Sequence, residues 1–116
     1  MATVRDILNN KRSSEVYSIG PKATVFQALT VLGEKMIGAL MVKDDNGEVA
    51  GIITERDYAR KIILQGRGSR DTAVEEIMTP RAELYTVTPE TTDDDCMVII
   101  TGKKIRHLPV FDGDKF

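Results

Sequence analysis

The segment Val49-Ala50-Gly51-Ile52-Ile53-Thr54-Glu55-Arg56-Asp57 holds the densest set of groups in this chain that could do chemistry. An apolar run feeds directly into a helix start, and at such a junction the unsatisfied N–H groups and the helix dipole favour an anion or a phosphate. Thr54 supplies a hydroxyl there. Asp57, one turn on, can accept two hydrogen bonds from a vicinal diol such as a ribose, as acidic residues do in dinucleotide-binding folds. Arg56, Arg60 and Lys61 add positive charge for phosphate, and Gly51 leaves room for close backbone approach. Thr54-x-x-Asp57 is also the spacing of a helix N-terminal cap, and Arg60 and Lys61 also read as a solvated helix face. Spacing alone leaves both readings open.

A second candidate is Lys103-Lys104-Ile105-Arg106-His107-Leu108-Pro109-Val110. Strand alternation puts Ile105, His107 and Pro109 on one side and Arg106, Leu108 and Val110 on the other. Lys103, Lys104, Arg106 and His107 could clamp a phosphate. They could equally be a charged helix end leading into a strand, since cations are favourable at a helix C-terminus. Cys96 and His107 are the only cysteine and histidine. An intrachain disulfide, a thiolate metal cluster and the usual Cys/His or Ser/His nucleophile pairs are thereby excluded or disfavoured, and no catalytic residue or metal ligand is assigned. A net charge of −2 gives no global field to attract nucleic acid. No run of about 20 apolar residues exists to span a bilayer, and the start Met1-Ala2-Thr3-Val4-Arg5-Asp6 lacks a secretory apolar core. The expected compartment is the cytoplasm.

The elements that must position these groups are legible through an internal repeat. Sliding the chain by 68 positions lays Tyr17-Ser18-Ile19-Gly20-Pro21 on Tyr85-Thr86-Val87-Thr88-Pro89, Thr24 on Thr92, Lys35 on Lys103, Ile37 on Ile105 and Val42 on Val110. Val4-Arg5-Asp6-Ile7-Leu8 resembles Val74-Glu75-Glu76-Ile77-Met78 at a slightly larger offset, so a short lead helix precedes each copy. Residues 1–69 and 70–116 are the two copies. In the first, a strand stopped by Gly20-Pro21 precedes a helix capped by Thr24 and Gln27, with Val25, Ala28, Leu29, Leu32 and Met36 on its buried face. Gly38 to Lys43 is a second strand, Asn46-Gly47 a mirror-image hairpin turn, Glu48 to Ile53 a third strand, and Thr54 to Gln65 a helix ended by Gly66. The fold class is α/β (α+β): two small three-stranded sheets with flanking helices, packed about a pseudo-twofold axis with a cleft as by-product. The second copy opens its helix with Asp93-Asp94-Asp95 and stops at Phe116, short of the last strand and helix, so it is expected to be incomplete unless another chain completes the sheet.

The repeat, Gly51-Ile52-Ile53-Thr54-Glu55-Arg56-Asp57 and Ile105-Arg106-His107-Leu108-Pro109-Val110 together resemble a pair of cystathionine-β-synthase-type (CBS) domains, a Bateman module, over about Val4 to Phe116. They are most similar to small stand-alone bacterial CBS pairs and their plant organellar relatives. The resemblance implies a sensor of an adenosine-containing nucleotide: AMP, ATP, NAD or S-adenosylmethionine. Asp57 would hold the ribose and Thr54 would face phosphate. Ser18, Ile19, Gly20 and Pro21 would line the base through backbone contacts, and Ile37, Gly38, Ala39 and Leu40 would form another wall. Arg106 and His107 would reach phosphate across the cleft. The family's second ribose aspartate would fall after Phe116. The resemblance further implies a homodimer and either a regulated protein in trans or nucleotide sensing by the module itself, with no enzymatic activity. A structural or interaction module with an empty cleft is the alternative.

Overall fold

A computed structural model of the chain describes residues 2–10 and 16–116. In chain order its elements are α1 (Val4–Asn9), β1 (Ser18–Ile19), α2 (Val25–Lys35), β2 (Ala39–Lys43), β3 (Val49–Thr54), α3 (Glu55–Tyr58), α4 (Val74–Ile77), β4 (Thr79–Pro80) and α5 (Asp93–Lys103). A π-type turn, Ala59–Ile63, prolongs α3. The chain forms two compact units, one of Val16–Leu84 and one that joins the segment 1–15 to Tyr85–Phe116.

In the first unit, the amide of Gln27 donates to Thr24 Oγ1 at 3.1 Å and the amide of Thr24 donates to Gln27 Oε1 at 2.9 Å. This reciprocal cap satisfies two of the free amides that start α2. Val25, Ala28 and Leu32 are buried along one face, as their spacing predicts, and Leu29 is half-buried. Met36 departs from the expected face: it adopts a left-handed φ of 55° that ends the helix, and it is 91% exposed. Ile37, whose amide bonds back to the Leu32 carbonyl, takes the packing position instead.

The sheet order is β1-β2-β3-β4, with β1 parallel to β2 and the other pairs antiparallel. In the β2–β3 connection only Gly47 has a positive φ, 79°. Asp44 Oδ1 accepts from the amides of Asn46 and Glu48, and the Gly47 amide donates to the Asp44 carbonyl. The side chain of Asp44 thus stabilises an ordinary turn closed by glycine, where Asn-Gly alone suggests the mirror-image type. At the far edge β4 pairs with β3 at Gly51 and Ile52. A Cβ on Gly51 would collide with the Thr79 carbonyl oxygen, so the room at Gly51 is taken by the backbone of β4. One sheet face, Leu40, Val42 and Ile53, packs with Val25, Ala28 and Leu32, with Ile62 of the π-type turn, and with Val74 and Ile77 of α4. Each buried valine, leucine or isoleucine among them stabilises the fold by about 1.5–3 kcal/mol relative to exposure.

The lead helices dock on the copy that they do not precede. The amides of Val74 and Glu75 donate to the carbonyls of Ala23 and Pro21 at 2.7 and 3.0 Å, and Lys22 pairs with Glu75 at 2.7 Å. In the second unit α1 repeats this: the amides of Val4 and Arg5 donate to the carbonyls of Thr91 and Pro89, both at 2.8 Å, and Arg5 pairs with Glu90 at 2.7 Å. Lys22 and Glu90 occupy one repeat position, and Glu75 and Arg5 another, so the same ion pair recurs with its polarity reversed. Copy order along the chain and compact units in space therefore divide the molecule differently.

Elsewhere the second unit keeps the repeat register. Thr92 caps α5 through the Asp95 amide, Lys104 ends it at φ 55°, and Val87 bridges Val110 in parallel as Ile19 pairs with Val42. Among the described residues this unit forms isolated bridges rather than a three-stranded ladder, whereas the first unit has four strands. No residue of α5 is buried, and Met97 and Val98 are exposed.

Candidate functional site

The site is built where β3 gives way to α3. Thr54 keeps extended backbone geometry, φ −126° and ψ 165°, while the residues after it turn helical. This brings Asp57 back over the end of the strand. Asp57 Oδ2 accepts from the Thr54 amide at 3.1 Å and from the Thr54 hydroxyl at 3.2 Å. Thr54 Oγ1 in turn accepts from the Asp57 amide at 3.2 Å. Asp57 Oδ1 faces Lys61 Nζ at 3.3 Å, and Lys61 also donates to the Ile77 carbonyl at 2.9 Å. Asp57 is only 8% exposed. The capping arrangement suggested by Thr54-x-x-Asp57 is thus realised. A carboxylate has about four acceptor positions, and the two Thr54 hydrogen bonds occupy two of them, with Lys61 an ion-pair partner of Oδ1.

The amides expected to face an anion are largely committed. Those of Thr54 and Asp57 serve the cap, and that of Glu55 donates to the Gly38 carbonyl at 3.1 Å. The α-helical stretch lasts only from Glu55 to Tyr58 before the hydrogen bonding loosens into the π-type turn, as in the Leu64 amide to Ala59 carbonyl bond of 3.2 Å. An anion placed there would consequently meet side chains more than the dipole of a long helix. Arg56 and Arg60 are exposed, and Lys61 is tied to Asp57 and Ile77.

Strand register decides which of the sequence-chosen residues share this end of the sheet. Ala39 lies opposite Thr54, and Gly38 bonds to Glu55, so the start of β2 adjoins the Thr54–Asp57 turn directly. Ser18 is level with Met41 and Ile19 with Val42, about 7 and 10 Å along the strand from Ala39. Gly20 and Pro21 lie farther still, and their carbonyls accept from the amides of Ala23 and Glu75. They therefore anchor the turn and α4 rather than sharing the Thr54–Asp57 end. The side chains of Ile19 and Ile37 pack against the core.

Arg106 and His107 belong to the second unit, where both are exposed between the end of α5 and the Val110 bridge. Cys96 is half-buried, and burial together with Asp95 and Asp93 pushes its thiol up. That suits a packing residue better than a nucleophile. Among the described residues, no group of three or more His, Cys, Asp or Glu side chains could hold a metal ion, and no helix is long and apolar enough to cross a membrane.

Tyr17 was not singled out by motif reading, yet the register puts it near the site end of β1, where its carbonyl accepts from the Met41 amide. Lys35 sits over its ring at 5.2 Å, and Lys103 sits over Tyr85 at 5.1 Å. The recurrence of both residues at an offset of 68 was the available signal.

Three comparisons bear on what this arrangement is. The chain is 42% identical over 113 residues to the CBS domain-containing protein CBSX3, mitochondrial, of Arabidopsis thaliana, covering 93% of this chain and 55% of that protein. It thus spans about half the length of that relative. The solved structure of a CBS-domain protein from Burkholderia ambifaria superposes with a TM-score of 0.90 at 45% identity, covering 98% of this chain and 83% of the other. That of CBSX2 in complex with AMP gives a TM-score of 0.76 at 28% identity, covering 99% and 85%. The CBS domain family also matches residues 4–64 and 74–116, and the chain belongs to the CBS domain family.

Proposed function

We propose that the chain is a regulatory, non-catalytic module that holds an adenosine-containing nucleotide, AMP, ATP or NAD, with Asp57 gripping the ribose diol. The observation that carries this reading is a nearly buried carboxylate, 8% exposed, at the β3–α3 turn, beside the start of β2 and with acceptor capacity left on Oδ1. In this reading Ile37, Gly38 and Ala39, with Ser18 and Ile19, flank the base. Thr54 and Arg56 face phosphate, and Arg106 and His107 are the phosphate-binding candidates of the second copy. Gly20 holds the turn before α2 through the Ala23 amide, and Pro21 holds α4 through the Glu75 amide. The AMP held by CBSX2, at 28% identity, supports the ligand class. A homodimer, a regulated protein in trans and a cytoplasmic setting complete the proposal. The mitochondrial relative makes an organellar setting the alternative.

The test is thermal melting of the full chain with AMP, ATP and NAD. A ligand at a hundred times its Kd raises stability by about 2.7 kcal/mol. Asp57→Ala removes most of the rise. Asp57→Asn keeps an acceptor for the Thr54 amide, so its ligand-free midpoint stays nearer the wild type while its nucleotide response is still lost. The cap bonds of Asp57 favour a second reading, an interaction module whose carboxylate only starts a helix. That reading prevails if none of the three nucleotides moves the midpoint of the wild type.

A further inference from the structure

We propose that Lys61 is a positioning residue for the ribose carboxylate rather than a ligand of the phosphate: anchored on the carbonyl of Ile77, its ammonium keeps Asp57 Oδ1 in place for a sugar diol. This inference rests on the nucleotide reading above.

The two oxygens of Asp57 are held by different kinds of contact. Oδ2 accepts from the Thr54 amide and hydroxyl, directional bonds that tie it to the end of β3. Oδ1 forms an ion pair with Lys61 Nζ at 3.3 Å. An ammonium on a flexible stem is ordinarily a mobile point charge. Here it is fixed, because Nζ also donates to the Ile77 carbonyl at 2.9 Å. Ile77 lies 16 residues away and is 1% exposed. It ends α4, whose Val74 and Glu75 amides are themselves bonded to Ala23 and Pro21.

This second contact distinguishes the arrangement from an ordinary i,i+4 surface pair. The neighbouring Ile62 is buried in the core and steadies the backbone from which Lys61 reaches. Asp57 is nearly buried, so salt screens the pair less than one in open solvent. The positive charge therefore sits at a set point beside Oδ1 and restrains the carboxylate on the side that the Thr54 cap leaves open. A carboxylate so restrained meets a diol with less ordering still to be done. Arg56 and Arg60, by contrast, are exposed. Of the three cations around Asp57 it is thus Lys61 that fits neither a phosphate ligand nor a solvated helix face.

Isothermal titration of AMP, 2′-deoxy-AMP and adenosine into the full chain tests the assignment, with wild type, Lys61→Met, Lys61→Gln and Lys61→Arg compared. AMP differs from 2′-deoxy-AMP in one ribose hydroxyl and from adenosine in the phosphate, so two ratios of Kd separate the two roles. A general loss of stability cancels in both ratios. Lys61→Met is expected to lower the preference for AMP over 2′-deoxy-AMP by about 2–10-fold, up to the worth of one net hydrogen bond. The preference for AMP over adenosine stays near the wild-type value. Lys61→Arg keeps the cation and recovers at least part of the ribose preference. Lys61→Gln keeps a donor for Ile77 without the charge, and it carries the test if Lys61→Met does not fold. A fall in the preference for AMP over adenosine places Lys61 on the phosphate and overturns the inference, as does an unchanged or raised ribose preference; either leaves the nucleotide reading intact. Absence of binding by the wild type, or its equal binding of AMP and 2′-deoxy-AMP, overturns the ribose reading itself and this inference with it.

Discussion

Gly51→Ala and Gly33→Ala are the same chemical change, and the structure assigns them opposite signs. At Gly51 a new Cβ would overlap the Thr79 carbonyl oxygen and lie 3.0 Å from Met78 Sδ and 3.2 Å from the Pro80 Cα. Two of these three neighbours are backbone atoms of the edge strand, so relief requires β4 to move off β3. Overpacking of this kind costs about 1–3 kcal/mol. Gly33 lies inside α2, where an added Cβ meets nothing within 4 Å. Alanine there restricts the unfolded chain and suits the helix, a gain of about 0.5–1 kcal/mol. With a urea dependence of about 1.5 kcal/mol per molar, Gly51→Ala should lower the unfolding midpoint by about 0.7–2 M and Gly33→Ala should raise it by about 0.3–0.7 M. Equilibrium urea unfolding followed by far-UV circular dichroism measures both. A neutral or stabilising Gly51→Ala would refute the claim that β4 demands a glycine opposite it.

The reversed ion pairs make a second prediction: Glu90→Lys places like charges at Arg5 and lowers the melting temperature more at low salt than at high salt, because both partners are exposed and screening weakens their repulsion. Adding Arg5→Glu should recover the loss, and a double variant no better than Glu90→Lys alone would show that the pair does not guide the docking of α1. A third concerns acid. The Ala73 amide and Arg67 hold the Glu76 carboxyl below its usual value of 4.5, and Arg5 holds Glu90 below the same value. A lowered folded pKa means that the unfolded chain binds more protons in that window, so the contribution is present above pH 4.5 and is lost as pH falls through the folded values. Melting temperature against pH should fall below about pH 4.5, and Glu76→Gln should flatten that fall; an unchanged acid limb would remove Glu76 from the account.

Much of the architecture was legible because it depends on short-range relations. A threonine three residues before Gln27 or Asp57 announces a cap, and apolar residues three and four apart announce the buried side of α2. The repeat of 68 was legible for the same reason, since each copy carries its own helix start and stop, from Thr24 to Met36 and from Thr92 to Lys104. Met36 escaped this logic because its spacing fits the helix while its backbone ends it.

The sequence by itself therefore determined two related copies, their helices and caps, and the carboxylate at the end of the third strand. Only the tertiary structure decided that α4 packs on the first copy and α1 on the second, that Gly51 makes room for β4, and that Lys61 closes on Asp57 and Ile77 together. The physical reason is range: Val4 and Val74 have alike surroundings in sequence, so either lead helix could in principle cover either apolar face. The choice between them rests on backbone bonds and ion pairs between residues some 50 to 90 positions apart, which no local period encodes.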